Sequence, residues 1–152
     1  MRIAILTALA ACAIAAPAQG HDTVALGRAV FVERTGHTGD GRIERRIEPA
    51  SRLARGDKVV LMVEWRGKPD GKGFAVTSPV PRALSFQDAS QEGVEVSVDG
   101  GRSWGRIGQI RLRDGAGIRF ATPEDVTHLR WRIGPREAAL GSGRLTYSAI
   151  VR

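Results

Sequence analysis

Apolar residues along this chain recur at every second position, the period of a strand whose side chains alternate between two faces. Val24 to Arg34 reads as a first strand, and Thr35 to Gly41 (TGHTGDG) as a loop. From Arg42 to Glu48, Ile43 and Ile47 alternate with charged residues. SRLARGD then turns the chain. Lys58 to Trp65 (KVVLMVEW) is the most apolar of these stretches and is expected to form a central strand. Gly67 to Gly73 (GKPDGKG) is a polar loop. Phe74 to Val80 and Ala83 to Phe86 are short strands separated by Pro81. Pro79 and Pro81 cannot donate ladder bonds, so this region is expected at a sheet edge or where the chain changes sheet. Val94 to Val98, Ile107 to Arg113, Gly117 to Ala121, Val126 to Ile133 and Arg144 to Val151 complete the set. Thr122 suits a helix cap and Pro123 the first helical position, so one helical turn is expected there. No stretch carries the period of a long amphipathic helix. Short strands at this spacing, joined by Gly-rich turns, predict an all-β fold: a β-sandwich, with a small barrel as the alternative. There is no internal repeat, and the chain is too short for the blades of a propeller.

The amino terminus departs from that period. One basic residue, Arg2, precedes an apolar run from Ile3 to Ala16, and Ala16-Pro17-Ala18 has the small-residue form of a cleavage site. Residues 1–18 therefore read as a signal peptide, 19–23 as a flexible tail and 24–152 as one β-sandwich domain. The run is too short to span a bilayer, and no later segment approaches about 18 apolar residues, so no transmembrane span is expected. Export to the periplasm or secretion follows. Leu9-Ala10-Ala11-Cys12 also resembles a lipobox, and the alternative is a lipoprotein anchored through Cys12. Cys12 is the single cysteine of the chain, so the exported domain would have neither disulfide nor thiol chemistry.

Cleavage after Ala18 would expose Gln19-Gly20-His21. A free amine, two amides and a third-position histidine make a square-planar nitrogen site suited to Cu(II) or Ni(II). No other metal pattern is present: His37 and His128 are scattered and lack cysteine partners. Beyond this possible metal, no cofactor is expected.

Ser97 to Gly105 (SVDGGRSWG) holds a more specific pattern. Its S-x-D-x-G-x-S-W spacing resembles the Asp-box, a hairpin signature of sialidases and related propellers. The physical content of the motif is a turn. Asp99 accepts backbone N–H groups, Gly100 and Gly101 supply the positive φ of a tight turn, and Trp104 folds over it. Sialidase chemistry needs a tyrosine nucleophile beside an arginine cluster, and the only tyrosine is Tyr147, in the last strand. No G-x-S-x-G elbow occurs, and Ser103 and Ser142 have no recognisable base nearby. The Asp-box residues therefore read as structural, and no catalytic residue is assigned.

Further stretches carry a family resemblance. ASRLARGDKVVLMVEWRG is similar to the V-x-PGD-x-V opening of a bacterial exported and surface domain. VTSPVPRALSF is similar to its V-x-D-P-[VL]-P segment, and VSVDGGRSW and VTHLRWRIG…LGSGRLTYSAIVR to its later strands. The family is the conserved-repeat domain called domain of unknown function eleven, and the likeness covers Pro49 to Arg152. It implies an immunoglobulin-like β-sandwich on exported or surface proteins, often in tandem, whereas this chain has room for one copy. Ser78 stands where the family has Asp, and Gly67 or a neighbour replaces its Asn.

Charge bears on partners. The chain has 23 basic and 16 acidic residues, a net charge of +7. Such an excess attracts anionic polymers of the envelope. No aromatic platform interleaves with the charges, which argues against a nucleic-acid partner. In QIRLRDGAGIRF, Ile110, Leu112, Ile118 and Phe120 are expected on one face, with Arg111, Arg113 and Arg119 on the other. A three-residue loop, Asp114 to Ala116, would set Arg111 opposite Arg119. In THLRWRIG, Leu129, Trp131 and Ile133 point inward, and His128, Arg130 and Arg132 outward. In one sheet, the five arginines would form an anion-binding face, unless acidic side chains such as Glu95 interleave with them. The sequence thus points to an exported, non-enzymatic structural or binding module of the bacterial cell envelope, its ligand unidentified. A periplasmic metal or anion binder is the alternative.

Overall fold

A computed structural model of the chain describes residues 24–67 and 72–152. The proposed signal peptide, Cys12 and the Gln19-Gly20-His21 terminus lie outside the described residues.

Ten strands are present among these residues: β1 (Ala25–His37), β2 (Ile43–Pro49), β3 (Lys58–Arg66), β4 (Phe74–Pro79), β5 (Leu84–Ala89), β6 (Glu95–Ser97), β7 (Arg111–Asp114), β8 (Gly117–Phe120), β9 (His128–Ile133) and β10 (Ser142–Val151). All pair antiparallel. One sheet runs β2-β1-β3-β10-β5, a second β4-β9-β6, and β7-β8 form a separate hairpin. The apolar stretch from Lys58 is the middle strand of the larger sheet. β4 is an edge strand, and the chain crosses to the other sheet between Pro79 and Leu84.

The two larger sheets share one core. Val59, Val63, Trp65, Leu145, Tyr147 and Phe86 come from the first, and Val76, Val96, Leu129, Trp131 and Ile133 from the second. Alternation puts these side chains on the facing sides, and each fully buried large side chain contributes about 1.5–3 kcal/mol. The rings interlock: Trp65 meets Phe74 edge-on at 5.1 Å, and Tyr147 lies 6.3 Å from Trp131 and 6.4 Å from Phe86. Trp65 also dictates its neighbour. Gly143 stands opposite it on β10, and a Cβ at Gly143 would lie 2.4 Å from Trp65 Nε1. Only glycine lets the indole lie flat against the next strand.

The elements differ from the expectation mainly at their ends. β1 and β2 pair as far as His37 and Ile43, so the expected loop from Thr35 shrinks to a turn held by Thr38 N–H to Arg42 O (2.9 Å) and Gly41 N–H to Thr38 O (2.8 Å). Residues 107–109 form a turn rather than the start of β7, because Gly108 has φ +83° and Gln109 N–H closes onto Arg106 O. Pro123–Asp125 forms the expected helical turn, as a 3-10 turn with Thr122 in the cap position. A second turn of helix, Pro135–Ala138, precedes β10. No helix among the described residues is long and apolar enough to cross a membrane.

Candidate functional site

Two adjoining pieces of the chain carry the residues singled out by the sequence: the turn after β6 and the β7–β8 hairpin. The turn is built from its own side chains. Ser97 is fully buried, and its hydroxyl donates to Asp99 Oδ1 (2.7 Å) while accepting Gly101 N–H (2.8 Å). The Asp99 carboxylate also accepts Arg102 N–H, Ser103 N–H and the Ser103 hydroxyl, the last at 2.6 Å. Gly100 and Gly101 take φ of +78° and +90°. With Asp99 N–H also donating to the Ser97 hydroxyl at 3.4 Å, six hydrogen bonds thus converge on the side chains of Ser97 and Asp99. The Ser103 hydroxyl first, then the Ser103 N–H and the Ser97 hydroxyl, hold the Asp99 carboxyl well below the usual carboxylate range. The Ser103 hydroxyl donates to Asp99, a carboxylate held too acidic to take its proton.

Trp104 lies against this turn, within ordinary contact distance of where a Gly101 side chain would begin. It is half-buried. Its exposed side is covered by Arg130, whose guanidinium sits 4.3 Å from the ring centre. Arg130 Nε in turn donates to Glu95 at 2.8 Å, and Arg132 Nε to the same carboxylate at 2.9 Å. These two arginines hold the Glu95 carboxyl below its usual range. The interleaving acid expected from the sequence is therefore present, and it ties up the outward face of β9. His128 is half-buried beside Gly101, with Nδ1 3.2 Å from Thr127 Oγ1.

The hairpin corrects the sequence reading. β7 and β8 are joined by a two-residue turn, Gly115-Ala116, because the Asp114 carboxylate accepts Ala116 N–H (3.0 Å) and closes the turn one residue earlier. Arg111 therefore stands opposite Phe120, Arg113 opposite Ile118, and Leu112 opposite Arg119. A one-residue slip turns every side chain of a strand to the other face. Arg119 lies on the other face of the hairpin with Leu112, held by Asp114 (2.8 Å) and Asp125 (2.6 Å). Arg119 holds both carboxyls below their usual range. Ile118 and Phe120, expected to share the face of Leu112 away from the arginines, are 63% and 56% exposed and share that of Arg111 and Arg113.

The five arginines consequently do not share one sheet. Arg130 and Arg132 belong to β9, Arg111, Arg113 and Arg119 to the hairpin, and three of the five are neutralised by carboxylates. Among the described residues no carboxylate pairs with Arg111 or Arg113. They share their face with Ile118 and Phe120, and Arg111 lies 5.7 Å from the Phe120 ring centre. The outcome is a small projecting surface, cationic and apolar together. Sequence reasoning missed its apolar half. The signal that could have revealed it is Asp114 itself, whose short carboxylate can accept the N–H two residues on and close a tight turn.

Behind the Asp99 turn is an open cavity of about 440 Å³, lined by Pro81, Leu84, Gly100, Val126, His128 and Arg152 among others. Some of its polar groups are engaged elsewhere: Gly100 N–H donates to Thr127 Oγ1, and Arg152 Nη2 to Glu124 O. Among the described residues no three His, Cys, Asp or Glu side chains gather as metal ligands. The chain matches no family model, no curated protein and no solved structure with which it was compared.

Proposed function

We propose that the protein is an exported, non-enzymatic binding module of the bacterial cell envelope, an immunoglobulin-like β-sandwich that contacts anionic amphiphiles through its β7–β8 hairpin. The observation that carries this reading is the exposed face on which Arg111 and Arg113 alternate with Ile118 and Phe120. Arginine pairs bidentately with phosphate or carboxylate headgroups, and exposed Ile and Phe side chains suit the boundary between headgroups and acyl chains. A purely electrostatic surface would not need the apolar pair. The chain's net positive charge adds long-range attraction to the same partners. A binding rather than catalytic role is favoured by how the polar side chains are used. Asp99 and Ser103 satisfy one another, and Tyr147 is 2% exposed, with burial pushing its phenol pKa upward.

The test is co-sedimentation of the purified protein with vesicles. Vesicles containing anionic phospholipid should retain it, and retention should fall as salt rises. Replacing Ile118 and Phe120 by Ser should weaken binding while leaving the fold intact, because neither side chain is in the core. Equal retention by neutral vesicles, or no retention by either, would overturn the proposal.

A further inference from the structure

The larger sheet ends in an open strand that matches itself. We infer that two copies of the chain pair antiparallel along β2, joining their sheets across a two-fold axis through Arg45.

Backbone direction sets the register. Thr38 N–H donates to Arg42 O and Ala50 N–H to Val30 O, so the even-numbered residues of β2 turn their backbone groups towards β1. Alternation leaves the N–H and C=O of Ile43, Arg45 and Ile47 directed to the free edge. Pairing centred on Arg45 brings Ile43 opposite Ile47 of the second copy, so each of these three residues donates and accepts across the seam. The side chains agree with that register. Glu44 falls opposite Arg46, and Arg42 opposite Glu48, on one face. On the other, Ile43 and Ile47, now 67% and 61% exposed, cover one another. Cross-strand pairs of opposite charge and of apolar residues are the favourable kinds. Only Arg45 meets its own copy, and Glu33, which also holds Lys58 at 2.9 Å, lies 3.7 Å from Arg45 Nε on that face and lessens the repulsion.

Neighbouring registers do not match. A shift one way sets Glu44 against Glu44, and a shift the other way sets Arg46 against Arg46 and Glu44 against Glu48. Open edges usually carry charge or proline to prevent pairing. Pro49 does end β2, but the charges within it are ordered as a self-complement. Of the other edges, β4 ends in Pro79, the free side of the three-residue β6 is bridged by Gly105, and β5, at the far side of the larger sheet, is six residues long.

Sedimentation equilibrium of the purified protein tests this. The wild type should reach the mass of two chains as concentration rises. Glu44→Arg alone and Arg46→Glu alone should each sediment as one chain, since each sets like charges opposite one another. An equimolar mixture of the two should recover the double mass, because the mixed pair restores both opposite-charge contacts. Arg45→Pro should also be a single chain with an unchanged circular dichroism spectrum, because its N–H faces the free edge and not β1. A wild type of single-chain mass at every soluble concentration would overturn the inference. So would a double mass that survives Arg45→Pro, or a mixture that stays single.

Discussion

Trp104 is the residue whose reading changes most. The motif around it predicts a ring folded over a turn, and the ring does lie there. The ring is only half-buried, however, and the guanidinium of Arg130, itself held by Glu95, lies over it where a buried ring would meet core. Trp104→Ala should therefore cost about 1–2 kcal/mol, from partial burial and a lost cation–π contact, as read by chemical denaturation. A cost of the size seen for a fully buried aromatic would contradict that placement. Gly143 makes the opposite case, a small residue with a large effect. Gly143→Ala should destabilise by about 1–3 kcal/mol through collision with the Trp65 indole. Adding Trp65→Phe to that variant should cost less than Trp65→Phe does in the wild type, because the ring it trims is the one the new methyl strikes. Simple additivity of the two changes would contradict the close approach. Nothing in the sequence around Gly143 announced this contact. It depends on which residue of β10 lies beside Trp65, a matter of long-range register.

At the scale of elements, what was legible is what period two determines locally. Leu129, Trp131 and Ile133 point inward and Arg130 and Arg132 outward, as their alternation requires, and Lys58 to Arg66 is the middle strand because it is apolar on both faces. Pro79 likewise marks an edge for a reason contained in the residue itself. What was not legible is what a turn decides. One residue more or less between β7 and β8 exchanges the faces of Ile118, Arg119 and Phe120, and the alternating sequence of β8 tolerates either arrangement. Asp114 settles it by accepting Ala116 N–H. Asp114→Ala should therefore loosen the hairpin and release one of the two carboxylates on Arg119. Amide hydrogen exchange should rise in residues 111–120 while β3 and β10 remain protected. Unchanged protection in the hairpin would show that the turn does not depend on the Asp114 side chain.

For the whole molecule, the carboxylates set the response to pH. Asp99, Asp114, Asp125 and Glu95 are all held below their usual range by hydroxyl, N–H or guanidinium donors. The unfolded chain takes up protons first, near its ordinary carboxylate values of about 4. The stability these groups supply is thus fully present above that range and is lost as pH falls through the lower folded values. Thermal denaturation should show a falling Tm below about pH 4–5. Asp99→Asn should lower Tm at neutral pH, and the gap from wild type should narrow in acid. A gap of constant size would contradict the role given to that carboxylate. The five arginines of β7, β8 and β9 divide on the same scale. Arg119, Arg130 and Arg132 have their charge met within the fold and stabilise it, whereas Arg111 and Arg113 share an exposed face with Ile118 and Phe120.

That division is the core of the functional assignment, and it is tested most directly by comparing two double variants for binding to vesicles containing anionic phospholipid. Arg111→Ser with Arg113→Ser should abolish salt-sensitive retention and leave Tm unchanged. Arg130→Ser with Arg132→Ser should lower Tm, by stranding Glu95 and uncovering Trp104, yet retain binding at temperatures where the fold persists. Loss of binding in the β9 pair and its survival in the hairpin pair would contradict the assignment.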